Sequence, residues 1–172
     1  MTFRVRSMQE SDLATVLSWR NAPDVRRHLW TQHEIGIDEH CEWFRKSQNE
    51  IGRNLLIFEA DRIPSGFVQF SKAGPGGVSD WGFYRAPSSP RGMGRAMGRT
   101  ALGHAFDVLD LHKVCGQAIA GNEASRKFHL SLGFAEEGVL REQFYDGTSF
   151  HHVVVFGLLG RDWTTAMARP NE

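Results

Sequence analysis

The sequence contains little cysteine, no long apolar run and no excess of either charge. Its two cysteines, Cys41 and Cys115, lie far apart and form no CxxC pair, which excludes a disulfide scaffold and a zinc site built on thiolates. The longest apolar run, Val153 to Leu159, is far shorter than the roughly 20 residues that a membrane-spanning helix needs. The 20 acidic residues balance 20 basic ones, so no overall positive field indicates a nucleic-acid partner.

The overall composition of the chain is that of a globular domain. With 172 residues, 41% hydrophobic content, 12 phenylalanines and five tryptophans, we expect one domain over residues 1–172 with a sizeable core. The first residues turn polar before any apolar stretch develops, so no signal peptide is predicted and a cytoplasmic location, away from membranes, is expected. Lysine supplies only four of the 20 basic residues, which leaves 16 arginines. Because a guanidinium suits phosphate and carboxylate groups, anionic ligands are favoured.

Hydrophobic periodicity predicts a mixed α/β architecture. The order of elements is one strand, three helical pieces, three strands, a long helix, a strand, a helix and a closing hairpin. A turn is predicted at Ile63-Pro64-Ser65, and Asp38 is the predicted N-cap of the third helical piece. The long helix is expected to bury the face that carries Met93, Met97 and Ala101.

A glycine-rich stretch, residues 91–98, lies between the fourth predicted strand and the long helix. Glycines at 92, 94 and 98 allow backbone N–H groups to approach a ligand, and a helix N-terminus adds unsatisfied donors and a partial positive charge. This context favours a bound pyrophosphate over a simple turn. The spacing fits neither a dinucleotide-binding fingerprint nor a Walker loop, because position 97 is methionine and no Gly-Lys-Ser/Thr follows.

Three spaced motifs resemble those of the GNAT acyl-CoA N-acyltransferase superfamily. Arg91, Gly94 and Ala96 match its Arg/Gln-x-x-Gly-x-Gly/Ala signature, and Asn122 to Ser125 opens a helix that ends at Leu132-Gly133-Phe134. The C-terminal blocks, Gly138 to Glu142, Asp146-Gly147 and Asp162-Trp163, are similar to those of ribosomal-protein N-terminal acetyltransferases. The resemblance covers nearly the whole chain.

This resemblance implies a fold, a donor and a donor site. The expected fold is a GNAT-like mixed, mostly antiparallel, splayed seven-stranded sheet with helices on both faces, and the donor is acetyl-CoA lying between the fourth and fifth strands. The residues implied to contact the donor are Phe83, Tyr84, Arg85, Arg91, Gly92, Met93, Gly94, Arg95, Ala96, Asn122 and Arg126. Among them, main-chain amides of residues 92–96 would take the pyrophosphate, and N–H groups of the fourth strand would polarise the thioester carbonyl.

The N-terminal third resembles a narrower group, the enzymes that acetylate UDP-linked 4-amino-4,6-dideoxy sugars in the pseudaminic-acid pathway. The similar residues are Trp19-Arg20-Asn21 and His40-x-x-Trp43-Phe44. The resemblance implies a nucleotide-linked amino sugar as the small-molecule acceptor. The implied acceptor-binding residues are Arg20, His40, Ser71 and Lys72 for the UDP, and Leu29, Trp30, Trp43 and Trp81 for the rest of the acceptor. Each tryptophan on a helical face has core packing as its alternative.

The catalytic positions depart from that group. The glutamate expected on the fifth strand is Gln117 here, and the tyrosine of the following helix is His129. Glutamine cannot take a proton, so Gln117 can at most orient a water, whereas His129 can donate or accept one. Surface exposure on the helix is the alternative for His129. Tyr84 is the third catalytic candidate, placed near both ligands. No metal site is predicted, because the histidines show no ligand spacing.

Two further hypotheses stay open at this point. The C-terminal blocks favour an N-terminal acetyltransferase of the ribosomal-protein type. The replacement of the usual glutamate and tyrosine favours a non-catalytic acyl-CoA-binding module. The sequence does not decide between a monomer and a homodimer.

Overall fold

The structure is a computed structural model that describes residues 1–90 and 92–168. The described residues contain seven strands and six α-helices, in the order that the periodicity predicts apart from an additional C-terminal helix. The strands are β1 (Phe3–Ser7), β2 (Asn54–Ala60), β3 (Ile63–Lys72), β4 (Val78–Arg85), β5 (Lys113–Ile119), β6 (Ala135–Tyr145) and β7 (Phe150–Leu159). The helices are α1 (Leu13–Asn21), α2 (Pro23–Arg26), α3 (Ile37–Gln48), α4 (Met93–Asp107), α5 (Glu123–Ser131) and α6 (Gly160–Ala168).

The strands form one seven-stranded, mostly antiparallel sheet with the order β1-β2-β3-β4-β5-β7-β6. The exception is the parallel pairing of β4 with β5, whose register runs from Val78–Lys113 to Asp80–Cys115. The mixed, mostly antiparallel seven-stranded sheet predicted from the sequence is thereby confirmed.

Two compact units make up the chain. The first comprises Met1–Lys72 and Trp81–His104, and the second comprises Ala73–Asp80 and Ala105–Glu172. The first unit therefore holds β1 to β3, the C-terminal part of β4, helices α1 to α3 and most of α4. The second holds the start of β4, strands β5 to β7 and helices α5 and α6.

In the first unit, a two-residue hairpin joins β2 to β3. Ala60 pairs with Ile63, and the residues between them, Asp61 and Arg62, have φ values of 50° and 68°. Positive φ at both positions is the geometry of the tight hairpin turn that matches strand twist. The turn predicted at Ile63-Pro64-Ser65 was therefore placed two residues too late, because Pro64 lies inside β3 and directed the prediction to the wrong position.

The helical part of the first unit packs on an apolar cluster that includes Val16, Trp19, Phe44, Ile57 and Phe67. This cluster confirms the core alternative for Trp19, of which 8% is exposed. Helix α3 begins one residue before the predicted N-cap: Gly36 is the N-cap, and Asp38 lies in the first turn together with Glu39. Acidic side chains there still favour the helix because its N-terminus carries partial positive charge.

In the second unit, β7 lies between β5 and β6. It pairs antiparallel with β5 from Lys113–Leu159 to Ile119–Val153, without a break. Strand β6 has two register shifts, and Glu142 at the second of them has a φ of 51°. Helix α6 was not predicted, although the Asp162-Trp163 pattern lies in it. It places Trp163 against Phe106 with ring centroids 6.0 Å apart.

Among the described residues, no helix combines the length and apolarity that crossing a membrane requires.

Candidate functional site

Arg20 lies at the C-terminal end of α1 and is nearly buried, with 9% of its surface exposed. Its guanidinium donates to two main-chain carbonyls of the segment between α2 and α3: Nη2 to Thr31 O at 2.6 Å and Nη1 to His33 O at 3.0 Å. Burial lowers the pKa of Arg20. The guanidinium is therefore hydrogen-bonded to the backbone of its own chain. A diphosphate ligand would have to displace these two carbonyl groups from it.

Asn21 holds the same segment from the next position. Its Nδ2 donates to Ile35 O at 2.8 Å, and its Oδ1 accepts from Ile35 N at 3.0 Å. The sequence analysis included Asn21 in a motif but gave it no role. No signal in the sequence identifies its partner, since Ile35 lies 14 residues away in a segment without regular structure.

His40 faces the interior of the first unit from α3, with 4% of its surface exposed. Its ring stacks on Trp43 with centroids 5.0 Å apart, and its Nε2 has no hydrogen-bond partner among the described residues. Burial and, to a lesser degree, the charge of Arg20 lower the pKa of His40, while the Leu13 backbone opposes the shift. The imidazole is thus neutral near pH 7 and suits a hydrogen bond better than an ion pair with a phosphate.

A row of rings leads from His40 to β4. Trp43 meets Phe67 edge-on at 5.9 Å, and Phe67 lies 5.1 Å from Tyr84. Burial raises the pKa of the Tyr84 hydroxyl well above its usual value, and the positive charge of Arg20 offsets only part of that rise. Tyr84 therefore keeps its proton throughout the physiological range. The structure brings together His40, Trp43 and Tyr84 from the predicted set, and adds Phe67, which the sequence analysis did not select.

The other predicted acceptor residues are more scattered. Trp30 is half exposed and Leu29 is half-buried, both in the segment that follows α2. Ser71 is half-buried and Lys72 is exposed at the end of β3, where the Lys72 stem lies beside Gly52. Trp81 is 8% exposed and packs against Phe83, with ring centroids 4.6 Å apart.

The glycine-rich stretch has the geometry that anion binding requires. Gly92 has a φ of 86°, and a Cβ added there would meet no atom within 4 Å, so the backbone is open on that side. Helix α4 begins at Met93, and Arg95 is exposed in its first turn. Helix N-terminal amides beside an open glycine fit a pyrophosphate. Arg91, also predicted to contact the donor, lies outside the described residues.

Close packing secures the start of α4 against β3 and β4. A Cβ at Gly66 of β3 would overlap the Met97 sulfur and lie 3.2 Å from the Tyr84 carbonyl oxygen. Met93 and Met97 are buried, as the predicted apolar face requires. The absence of a side chain at Gly66 thus sets the spacing between α4 and the strand segment Phe83 to Arg85.

The second unit carries the remaining predicted residues. Asn122 is the N-cap of α5, where its side chain accepts from Ser125 N at 3.0 Å. Arg126 pairs with Glu123 at 3.0 Å and with Glu136 at 2.9 Å, so its charge is already balanced within this unit. Gln117 is exposed on β5, opposite Val155 of β7.

His129 has its ring in the core of the second unit, with 1% of its surface exposed, rather than on the surface of α5. Its Nδ1 lies 2.8 Å from Ser125 O, and its ring contacts Phe134 at 5.1 Å and Phe156 at 4.5 Å. Burial lowers the pKa of His129, and the bond to Ser125 opposes the shift. The surface alternative for this residue is wrong. Its predicted role in proton transfer stays a prediction.

Comparison with known families decides the assignment. The profile described as "Acetyltransferase (GNAT) domain" matches residues 2–135, most of the chain. This chain is a member of the GNAT acetyltransferase family. The expectation of an N-acetyltransferase that uses acetyl-CoA as its acyl donor is thereby confirmed.

Two curated proteins are similar in sequence. The protein YdaF of Bacillus subtilis (strain 168), named as a ribosomal N-acetyltransferase, is 37% identical over 73 residues, which are 42% of this chain and 40% of that protein. The chain thus matches less than half the length of this relative. The spermidine N(1)-acetyltransferase of Vibrio cholerae is 22% identical over 146 residues, covering 82% of this chain and 83% of that protein.

Solved structures share the fold. Spermidine N-acetyltransferase from Vibrio cholerae, crystallised with CoA and spermine, superposes with a TM-score of 0.87 at 21% identity and covers 94% of this chain and 98% of that chain. An N-acetyltransferase from Staphylococcus aureus Mu50 gives a TM-score of 0.77 at 22% identity, with coverage of 93% and 99%. No nucleotide-sugar acetyltransferase is among these relatives, so the resemblance to the pseudaminic-acid enzymes is not shown.

Proposed function

We propose that this GNAT acetyltransferase transfers the acetyl group of acetyl-CoA to a primary amine of a small cationic molecule of the polyamine type. The observation that carries the proposal is the charge of residues 28–44, which contain four carboxylates and no lysine or arginine. All four are exposed: Glu34, Asp38, Glu39 and Glu42. An acceptor that carries several ammonium groups is attracted to such a surface.

The hydrogen bonding of Arg20 also supports a cationic acceptor. Its guanidinium is directed at the Thr31 and His33 carbonyls, so it is not available to bind a phosphate group of an anionic acceptor. Two of the carboxylates already have a basic neighbour, since Glu34 lies 3.5 Å from Arg26 and Glu42 lies 2.8 Å from Lys46. Among the described residues, Asp38 has no ion-pair partner and Glu39 has only His33, at 3.3 Å.

The transfer forms a C–N bond as the thioester C–S bond breaks, and the proton released by the amine balances the charge of the departing thiolate. We assign Tyr84 the role of proton donor to that sulfur, because its hydroxyl is buried and stays protonated. Main-chain amides at Gly92 and at the start of α4 would hold the pyrophosphate of the donor. The amine proton would return through solvent to Tyr84, so that the transfer leaves no net charge on the enzyme.

A nucleotide-linked amino sugar is the second candidate, and Lys72 is the observation that favours it. This exposed lysine has no ion-pair partner among the described residues, and it stands at the end of β3 beside Ser71. A free ammonium group there suits one phosphate of a nucleotide sugar. The buried, committed Arg20 weighs against this candidate, because the UDP site implied by the sequence requires its guanidinium.

A panel of acceptors tests the proposal. Release of CoA thiol from acetyl-CoA is measured with spermidine, spermine, a UDP-4-amino-4,6-dideoxy sugar and a peptide with the N-terminus of a ribosomal protein. We expect turnover with the two polyamines. Turnover with the nucleotide sugar alone would restore the second candidate. Turnover with the peptide alone would identify an N-terminal acetyltransferase, and both results would refute the polyamine proposal.

A further inference from the structure

The segment from Thr31 to Ile35 has no regular secondary structure, yet side chains fix its main chain at three alternate positions. Arg20 binds the carbonyls of Thr31 and His33, and Asn21 binds both the carbonyl and the amide of Ile35. Two consecutive side chains at the end of α1 thus hold the main chain of this segment through four hydrogen bonds.

We infer that Arg20 and Asn21 are positioning residues that hold residues 31–35 in the conformation that recognises the acceptor amine. The inference rests on the proposed function in that this segment belongs to the acceptor site. It assigns Arg20 a role without direct contact with the acceptor, unlike the UDP-binding role that the sequence resemblance implies.

The burial of Arg20 makes its hydrogen bonds to residues 31 and 33 costly to break. A guanidinium does not lose its proton inside a protein, so a nearly buried one must be satisfied by hydrogen bonds. Within the described residues no carboxylate lies within ion-pair distance of it, and Glu39 affects it only through longer-range attraction. The two carbonyls are therefore its principal partners. Release of the segment would leave a buried charge without hydrogen-bond partners, so the arrangement in which Arg20 binds both carbonyls is strongly favoured.

The conformation of residues 31–35 should affect binding of the acceptor rather than binding of the donor. The segment carries Glu34, begins directly after Trp30 and leads into the first turn of α3 with Asp38. Its main-chain conformation therefore decides where these carboxylates and the exposed indole are placed. The donor-binding stretch at Gly92 makes none of the four hydrogen bonds. A loosened segment should raise KM for the acceptor and leave KM for acetyl-CoA unchanged.

Two variants test the inference. Arg20→Lys keeps the charge but cannot reach two carbonyls with a planar fork. Asn21→Asp keeps the oxygen that accepts from Ile35 N but replaces the donor to Ile35 O with a second oxygen, which repels that carbonyl. Arg27→Lys is the matched control, since Arg27 is exposed and pairs with Asp24 at 3.2 Å. Hydrogen–deuterium exchange of the full-length protein, without ligand, reports directly on the segment.

We expect amides of residues 31–37 to exchange about tenfold faster in R20K and N21D than in the wild type, with the β2 amides and the R27K control unchanged. In the same variants, KM for the acceptor should rise about tenfold at constant KM for acetyl-CoA. Unchanged exchange in both folded variants would overturn the inference. So would faster exchange throughout the first unit, which would indicate a general stabilising role.

The kinetic and exchange results separate this inference from the proposed function. If the wild type acetylates no polyamine, the proposed function fails, while the exchange data still decide whether Arg20 and Asn21 hold the segment. If exchange changes as expected but acceptor KM does not, the segment lies outside the acceptor site and the inference is overturned.

Discussion

The imidazole of His129 lies flat on the ring of Phe156, with centroids 4.5 Å apart and planes 9° from parallel. A residue selected from the sequence for proton transfer is thus an integral part of the core of the second unit. Its ring packs among aromatic side chains, and its Nδ1 lies within hydrogen-bond distance of the Ser125 carbonyl in the preceding turn of α5.

Substitution of His129 separates packing from chemistry. We expect His129→Ala to lower the free energy of unfolding by about 2–4 kcal/mol, because it leaves a cavity among buried rings. His129→Phe retains the stack and should keep most of the stability and the turnover. Thermal unfolding and kcat of both variants are the measurements. A large loss of kcat in a stable His129→Phe enzyme would instead support the proton-transfer role predicted from the sequence.

The pH dependence of stability follows from the same residue. Burial lowers the pKa of His129 below its ordinary value of 6.5, so the unfolded chain binds a proton more readily than the folded one. The stability contributed by neutral His129 is complete above about pH 6.5 and declines as the pH falls towards its folded pKa. We expect the wild type to lose more stability than His129→Phe between pH 7.5 and 5.5. Equal slopes in denaturant titrations would contradict this expectation.

Tyr84 and Tyr145 are the two tyrosines of the chain and form a matched pair. Tyr84→Phe should lower kcat about a hundredfold with little change in either KM, because it removes the proposed proton donor and leaves the ring in place. Tyr145 lies exposed on the β6–β7 hairpin, where its hydroxyl donates to Gly147 O at 2.9 Å. Tyr145→Phe should therefore leave kcat unchanged. Similar rates for all three enzymes would exclude Tyr84 as the acid.

Gly92 and Gly147 allow backbone strain to be separated from donor binding. Both have positive φ, 86° and 98°, and a Cβ at either would meet no atom within 4 Å. Alanine at each should therefore cost a similar amount of stability, about 1 kcal/mol. Only Gly92→Ala should raise KM for acetyl-CoA, by about tenfold, if the open backbone at this position binds the pyrophosphate. Equal KM values in the two variants would remove Gly92 from the donor site.

The negative charge of the carboxylates near the start of α3 should strengthen the binding of a polyamine acceptor. The double variant Glu34→Gln, Asp38→Asn should raise KM for spermidine about fivefold, with the effect decreasing as salt is added, since exposed charges are screened. Glu142→Gln on exposed β6 is the control and should behave as the wild type. A double variant with unchanged spermidine KM at low salt would contradict an electrostatic role for this surface.

The sequence predicted the features of the fold that depend on local patterns. The apolar face of α4, the Asn122 cap of α5 and the hairpin of β6 and β7 all follow from spacing and turn residues, and each is present. The helix start at Gly36 was missed because a glycine N-cap has no side chain to mark it, and the Asp61-Arg62 turn was missed because neither of its positive-φ residues is glycine or asparagine.

The site was less predictable because it depends on partners that are distant in the sequence. Arg20 was selected from the sequence as an acceptor-binding residue, but its binding to carbonyls 11 and 13 residues away has no sequence signature. The burial of His129 depends on Phe156 of a strand 27 positions further along the chain. By contrast, the glycine-rich stretch at Gly92 could be predicted, since a loop followed by a helix N-terminus is a local feature.

Because Arg20 and Asn21 bind only main-chain atoms of residues 31–35, substitution of Thr31, His33 or Ile35 leaves the four hydrogen bonds without a change of partner. If the segment contacts the acceptor as proposed, the choice of amine can evolve through these three side chains while Arg20 and Asn21 stay the same.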